Sequence, residues 1–316
     1  MSVVNNIKKT HIPRIDYSKE TGISYTQFSN WKECPHRWKL MHVDKVLPFK
    51  QNINLVFGTA MHDSVQHYLQ TAYTISAVEA DKIDLSNYLK NSIRENYIKG
   101  LKNNNNKHFS NPIELHQYYT EGIKILDYFR KNRKGFFPLR NIELLGIEMP
   151  LNTIIDDTLP NVKFSGSIDI VLYDKKHNEI LIYDFKTSNR GWGDREKKDP
   201  IKLSQLVLYK KFFSKQYGID ESLIKVEYII LKRNPPVNPY TDYPVPPVNT
   251  FSPSITKKLT NSVNTDILTF LQDCFDKSGK PIKNNIYYKN IDNCRFCPFL
   301  DKPEYCNKQN INDKEQ

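Results

Sequence analysis

The chain has 316 residues, is 39% hydrophobic and 26% charged, and carries a formal net charge of +11. That balance excludes the fibrous and disordered classes, and no apolar run approaches the roughly 20 residues that span a bilayer. The positive charge suits a polyanionic partner, since Lys and Arg release counterions from phosphates, or it serves solubility alone.

In chain order, residues 1–20 read as a disordered N-terminus. Met1 to Thr10 lacks the apolar core of a signal peptide, so a cytoplasmic location is expected. Ser24 is placed to cap a helix over Tyr25–Trp31, and Pro35 to open a second one toward His42. Met61, Val65, Tyr68, Leu69 and Ala72 fall at helical spacing and predict a helix over Phe57–Tyr73. Further helices are expected at Leu85–Leu101 and Ile113–Lys131, so 59–135 reads as mainly helical. Strands follow at Glu143–Leu151, Val162–Tyr173 and Glu179–Lys186, the last two joined by the polar turn Lys175–Asn178. Ile201–Tyr217 is a helix. Val226, Tyr228 and Ile230 alternate as in a strand, the proline-rich 234–253 is a long loop, and Ser254–Phe275 is an amphipathic helix. The order predicts one α/β domain over 21–310, with 140–232 as its sheet core, 290–306 as a cysteine loop and 311–316 as a polar tail.

The hairpin carries the chemistry. If it is symmetric about the turn between Lys176 and His177, Asp169 lies opposite Asp184. Side chains alternate along a strand, so Asp184 and Lys186 point the same way. Facing carboxylates repel, and a divalent cation removes that cost; hard oxygen ligands suit Mg²⁺ or Mn²⁺. The competing reading is an Asp–Lys pair on a solvent face, against which the apolar frame "ILIYDF" argues. Glu148, on the preceding strand, is either a supporting acid in the same sheet or an exposed strand residue. Arg190, Arg195, Lys197, Lys198 and Lys202 follow the catalytic strand with Trp192 among them, a mix that suits a single-stranded nucleic acid and also a solvated loop. Lys131, Arg133 and Lys134 form another basic run.

Three of the five cysteines crowd into the end of the chain, Cys294, Cys297 and Cys306. Three soft ligands ask for a fourth. Cys274 falls on an apolar helical stripe and reads as a core thiol, which leaves Cys34, beside Pro35, as the better fourth ligand. Four cysteines alone do not choose between zinc and an iron–sulfur cluster.

"GSID" followed by "YDFKT" resembles the paired motifs of the PD-(D/E)XK nuclease superfamily, RecB-like branch. "FGTAMH" resembles that branch's Gly-x-x-x-His helix, "QLVLY" its Gln-x-x-x-Tyr helix, and "SYTQFSNWKECPHRWKL" its N-terminal segment. Together they span nearly the whole chain in the right order. The resemblance implies a restriction-endonuclease-like mixed sheet flanked by helices, with a helical insertion. It implies that His62 and the Phe185 carbonyl join Asp169 and Asp184 around the metal, that Lys186 assists attack of water, and that Gln205 and Tyr209 orient substrate or lysine. For His62 an ordinary core or surface histidine is the plain alternative, and Tyr209 can simply pack. In AddB-type helicase-nucleases and CRISPR-associated RecB-like exonucleases, one N-terminal and three C-terminal cysteines hold a 4Fe–4S cluster. The same layout here implies a cluster on Cys34, Cys294, Cys297 and Cys306 that staples the two ends of the chain, with Zn²⁺ as the lesser alternative; the gap before Cys306 is longer than is typical.

The expected function is a metal-dependent DNA exonuclease acting on single strands or ends, in repair, recombination, replication, or phage or CRISPR DNA processing. The alternative is a non-cleaving or partner-dependent subunit of a recombination or CRISPR complex. No Walker-type phosphate loop is present, so any helicase activity must come from a partner.

Overall fold

The computed structural model describes residues 14–47, 50–237 and 245–306, with single positions at 4, 7, 10, 12, 240 and 243. The tail 311–316 and most of 1–13 lie outside these; within the segment expected to be disordered, Val4 and Ile7 are buried and 17–19 form a turn.

The chain enters through β1 (Thr21–Ile23) and α1 (Tyr25–Glu33), where the Ser24 hydroxyl accepts from the Gln27 amide. Pro35 opens α2 (Pro35–Trp38), which runs on into a π turn, Lys39–Val43. α3 (Ile53–Thr74) starts four residues before the apolar periodicity does, because Asn52 caps it by accepting from the Leu55 amide. Ser76 caps a short α4 (Ala77–Asp81) that the sequence did not suggest. α5 (Leu85–Asn103) and α6 (Pro112–Phe136, with Asn111 as cap and Pro112 in the first turn) complete the helical part. A Cβ on Gly122 of α6 would stand 2.7 Å from Leu89 and 3.1 Å from Phe57, so this glycine is what lets α6 close on α5 and α3.

Three long strands follow: β2 (Ile142–Ile154), β3 (Val162–Asp174) and β4 (Glu179–Ser188). After β4 come α7 (Asp194–Lys198), α8 (Pro200–Tyr217), β5 (Ile224–Lys232), β6 (Val248–Phe251) and α9 (Lys257–Cys274). The sheet is mixed. β3 is antiparallel to β2 along one edge; on the other it is parallel to β1 at Val162–Phe164 and antiparallel to β4 from Ile170 on. β4 and β5 run parallel, and β6 closes antiparallel on β5. β6 falls inside the segment read as a loop: four residues framed by prolines are too few to show an alternation.

Both faces of the sheet are covered. Ile180, Ile182, Tyr228 and Ile230 pack with α1, α8 and α9, whereas Tyr183, Phe185, Ile229 and Leu231 pack with α3, α5 and α6. Successive strand residues go to opposite layers, which is why these strands are apolar throughout. This is the mixed α/β sheet flanked by helices that the motifs implied. Among the described residues, no helix is long and apolar enough to cross a membrane.

Candidate active site

The site occupies a gap in the sheet. Pairing of β3 with β4 runs from Asp174–Glu179 to Ile170–Tyr183 and stops one rung short of Asp169 and Asp184. On the same edge, β1 reaches only Phe164. Among the described residues, the stretch of β3 between these contacts has no strand on this edge, only β2 on the other, while β4 is carried onward by β5 as far as Ser188–Lys232. In place of a ladder bond, the Phe185 amide donates to Asp169 Oδ2 at 2.6 Å.

Two elements reach into the gap. From α3, His62 brings Nδ1 to 3.5 Å from Asp169 Oδ1, with its ring edge-on to Phe185. From β2, Glu148 sits at φ 50°, a left-handed backbone that costs a non-glycine residue about 1–3 kcal/mol. Ligand atoms of His62, Glu148 and Asp169 all lie within 4.8 Å of one another. An imidazole nitrogen and two carboxylates suit a hard divalent cation such as Mg²⁺ or Mn²⁺. Burial works against protonation of His62, but its bond to Asp169 and the charges of Asp169 and Asp184 outweigh it, and its pKa is raised.

Asp184 is 3% exposed. Its Oδ1 accepts from Gln205 Nε2 at 3.0 Å, and the same Nε2 lies 3.0 Å from the Tyr209 hydroxyl. Lys186 Nζ lies 2.7 Å from Asp184 Oδ2, an ion pair on a buried carboxylate. Burial pushes the Asp184 pKa up to about 6; the Asp169 charge adds to this and Lys186 opposes it. The Tyr228 ring lies 5.6 Å from Lys186 Nζ, and its hydroxyl donates to the Lys202 carbonyl at 2.6 Å. Asp169, Asp184, Lys186, Gln205, Tyr209, His62 and Phe185 are thus brought together. Glu148, read from the sequence as either a supporting acid or an exposed strand residue, is exposed and also joins the ligand group; Gln66, which holds it, carried no signal in the sequence.

A family model described as the PD-(D/E)XK nuclease superfamily matches residues 22–302. The chain belongs to the PD-(D/E)XK nuclease superfamily. No curated protein matches it. Members of the superfamily are hydrolases that use divalent metals on DNA.

Beyond β4, the basic loop is pinned by Arg233 and Asn234, whose amides donate to the carbonyls of Ser188 and Asn189. Trp192 is half-buried against Tyr228 and Phe251, and Lys202 Nζ lies 5.3 Å from its ring. That ring anchors the loop. Lys197 packs over Phe251, whereas Arg190, Arg195 and Lys198 are exposed. In the other basic run, Arg133 is buried and donates to the Phe137 carbonyl, closing the end of α6.

Cys34, Cys294, Cys297 and Cys306 line one cavity together with His36 and Arg37. The two ends of the chain meet there: the His36 amide donates to the Tyr288 carbonyl at 3.1 Å, and Asn293 to the Glu33 carbonyl at 2.8 Å. Among the described residues, these thiols do not form a group within 4.8 Å of one another. Arg37 is buried with Nε unpartnered, and burial lowers its pKa against the opposing influence of Cys297 and Cys294. Cys274 is fully buried in the core of α9, as its stripe indicated.

Proposed function

We propose that this nuclease is an exonuclease that hydrolyses phosphodiester bonds in single-stranded DNA or at DNA ends. The observation that carries the reading is the meeting of Asp169, Asp184 and Lys186 with His62 and Glu148 where β3 and β4 part. His62, Glu148, Asp169 and Asp184, with the Phe185 carbonyl, would hold Mg²⁺ or Mn²⁺. Such an ion supplies Lewis acidity toward a phosphate oxygen and acidifies water.

The chain's own groups do the rest. Lys186, held between Asp184 and the Tyr228 ring, presents a cation to the negative charge that builds on the phosphate. Gln205 fixes the rotamer of Asp184 and is itself fixed beside Tyr209. Arg190, Arg195, Lys197 and Lys198 offer phosphate contacts along the loop that Trp192 anchors.

The reading extends to a 4Fe–4S cluster on Cys34, Cys294, Cys297 and Cys306, of the kind found in the RecB-like branch. A tetrahedral zinc site, with bonds of about 2.3 Å, holds its sulfurs about 3.8 Å apart. What supports a shared group there is that the four cysteines line one cavity, with Arg37 among them.

The test is hydrolysis of labelled linear and circular single-stranded DNA with Mn²⁺, on anaerobically purified protein. Loss of linear DNA with circles intact is the expected result. Cutting of circles means an endonuclease, and no cutting of either shifts the weight to the non-cleaving or partner-dependent subunit, in which a helicase or recombination or CRISPR partner is required.

A further inference from the structure

Glu148 departs from its own strand. Its neighbours pair regularly with β3, Ile147 opposite Ile170 and Met149 opposite Ile168, yet Glu148 itself sits at φ 50°. A glutamate has no intrinsic preference for that conformation, and a strand residue that relaxed to ordinary β geometry would carry its side chain elsewhere. Something must hold it.

Two donors do so. Gln66 Nε2 lies 2.6 Å from Oε1, and Ser167 Oγ lies 2.6 Å from Oε2. Each carboxylate oxygen accepts one bond and keeps a second lone pair for a cation. Gln66 is 6% exposed and follows His62 by one helical turn on α3, so both residues leave the same face of the helix. Its Nε2 also lies 3.3 Å from the Asp169 main-chain carbonyl. One amide therefore touches two of the three strands and helices that supply the ligand group. The neutral side chain matters: a lysine there would compete with the metal for Glu148, and a carboxylate would repel it.

We propose that Gln66 is a positioning residue for the metal site: it holds the Glu148 carboxylate in its left-handed conformation and sets the cation affinity through Glu148. The proposal rests on the metal-site reading given above. Outer partners of metal ligands typically contribute about 10–100-fold in affinity, and an effect of that size is expected here.

The experiment is a Mn²⁺ titration followed by EPR on wild type, Gln66→Leu, Glu148→Gln and the double variant, with DNA binding as a fold control. Gln66→Leu is expected to bind Mn²⁺ at least about 10-fold more weakly, and the double variant no more weakly than Glu148→Gln alone. Wild-type affinity in Gln66→Leu overturns the proposal, as does an equal loss in the Glu148→Gln background, which marks a merely structural role. If leucine at this buried position prevents folding, Gln66→Met, unbranched and similar in length, runs the same cycle. Wild type that binds no Mn²⁺ sinks the metal-site reading and this proposal together, which separates that failure from one confined to Gln66.

Discussion

The Asp169 carboxylate accepts the Phe185 main-chain amide at 2.6 Å, a side chain doing what a neighbouring strand would otherwise do. Asp169 therefore has two tasks, closing the sheet at the gap and contributing charge to the ligand group. They can be separated. The side-chain amide introduced by Asp169→Asn still offers the Phe185 amide an acceptor but brings no charge. Asp169→Asn is expected to melt near wild type and lose Mn²⁺ binding and cleavage. Asp169→Ala also leaves a buried amide unpaired, at about 1–3 kcal/mol, and is expected to melt lower. Equal melting temperatures for the two variants would show that the amide finds another partner.

Lys186 sits against Asp184 and so competes with any cation for that carboxylate. Lys186→Met is expected to bind Mn²⁺ as tightly as wild type or more tightly at pH 7.5, while cleavage falls by about 10²–10³-fold, the usual effect of losing one preorganised charge-stabilising donor. Mn²⁺ titration beside single-turnover hydrolysis separates the two. Unchanged hydrolysis would reduce Lys186 to a counter-charge for Asp184.

Much of this site was legible because it depends on local periodicity. The turn at Lys176–His177 fixes the hairpin register, and the observed rungs from Asp174–Glu179 to Ile170–Tyr183 are those of a symmetric hairpin. Gln205 and Tyr209 are one helical turn apart, so their contact follows from spacing. Glu148 and Gln66 were not legible in the same way. The sign of a φ angle leaves no trace in a glutamate's identity, and Gln66 gains its meaning from a strand 82 residues away. β1, with three residues, is too short to carry a pattern and exists because β3 offers it an edge. The packing of Trp192 on Tyr228 and Phe251 was not legible either: composition places an aromatic among lysines but does not say what it rests on.

The raised pKa of Asp184 makes metal binding and stability depend on pH in opposite directions. In the metal-free protein the folded state holds the Asp184 proton more tightly than the unfolded chain. The stability from this group is present below about pH 3.8 and lost as pH rises through about 6. A cation must displace that proton and any on His62, whose pKa is also raised. Mn²⁺ affinity is therefore expected to fall between pH 7.5 and 5, and the rise in melting temperature from saturating Mn²⁺ to shrink over the same window. Metal-free Asp184→Asn is expected to lack this part of the pH dependence. An affinity flat from pH 7.5 to 5 would remove Asp184 and His62 from the ligand set.

The cysteine cavity gives the last prediction, in which stability and colour are read together. A group bound to Cys34 and to the three C-terminal thiols closes nearly the whole chain into one loop. In the chain-entropy picture a closure that long contributes about 5 kcal/mol. Cys34→Ala is expected to lose visible charge-transfer absorbance and bound iron and to melt well below wild type. Cys274→Ser, which puts a hydroxyl into the core of α9, is expected to melt lower too but to keep its colour, because Cys274 does not line the cavity. Destabilisation alone thus does not identify the ligands, and the pairing of colour with melting temperature does. Colourless protein carrying one zinc would replace the cluster with the smaller ion and require the thiols to draw closer. Cys34→Ala that melts with wild type would mean that the two ends are held by hydrogen bonds such as Asn293 to Glu33 and by nothing that spans the cavity.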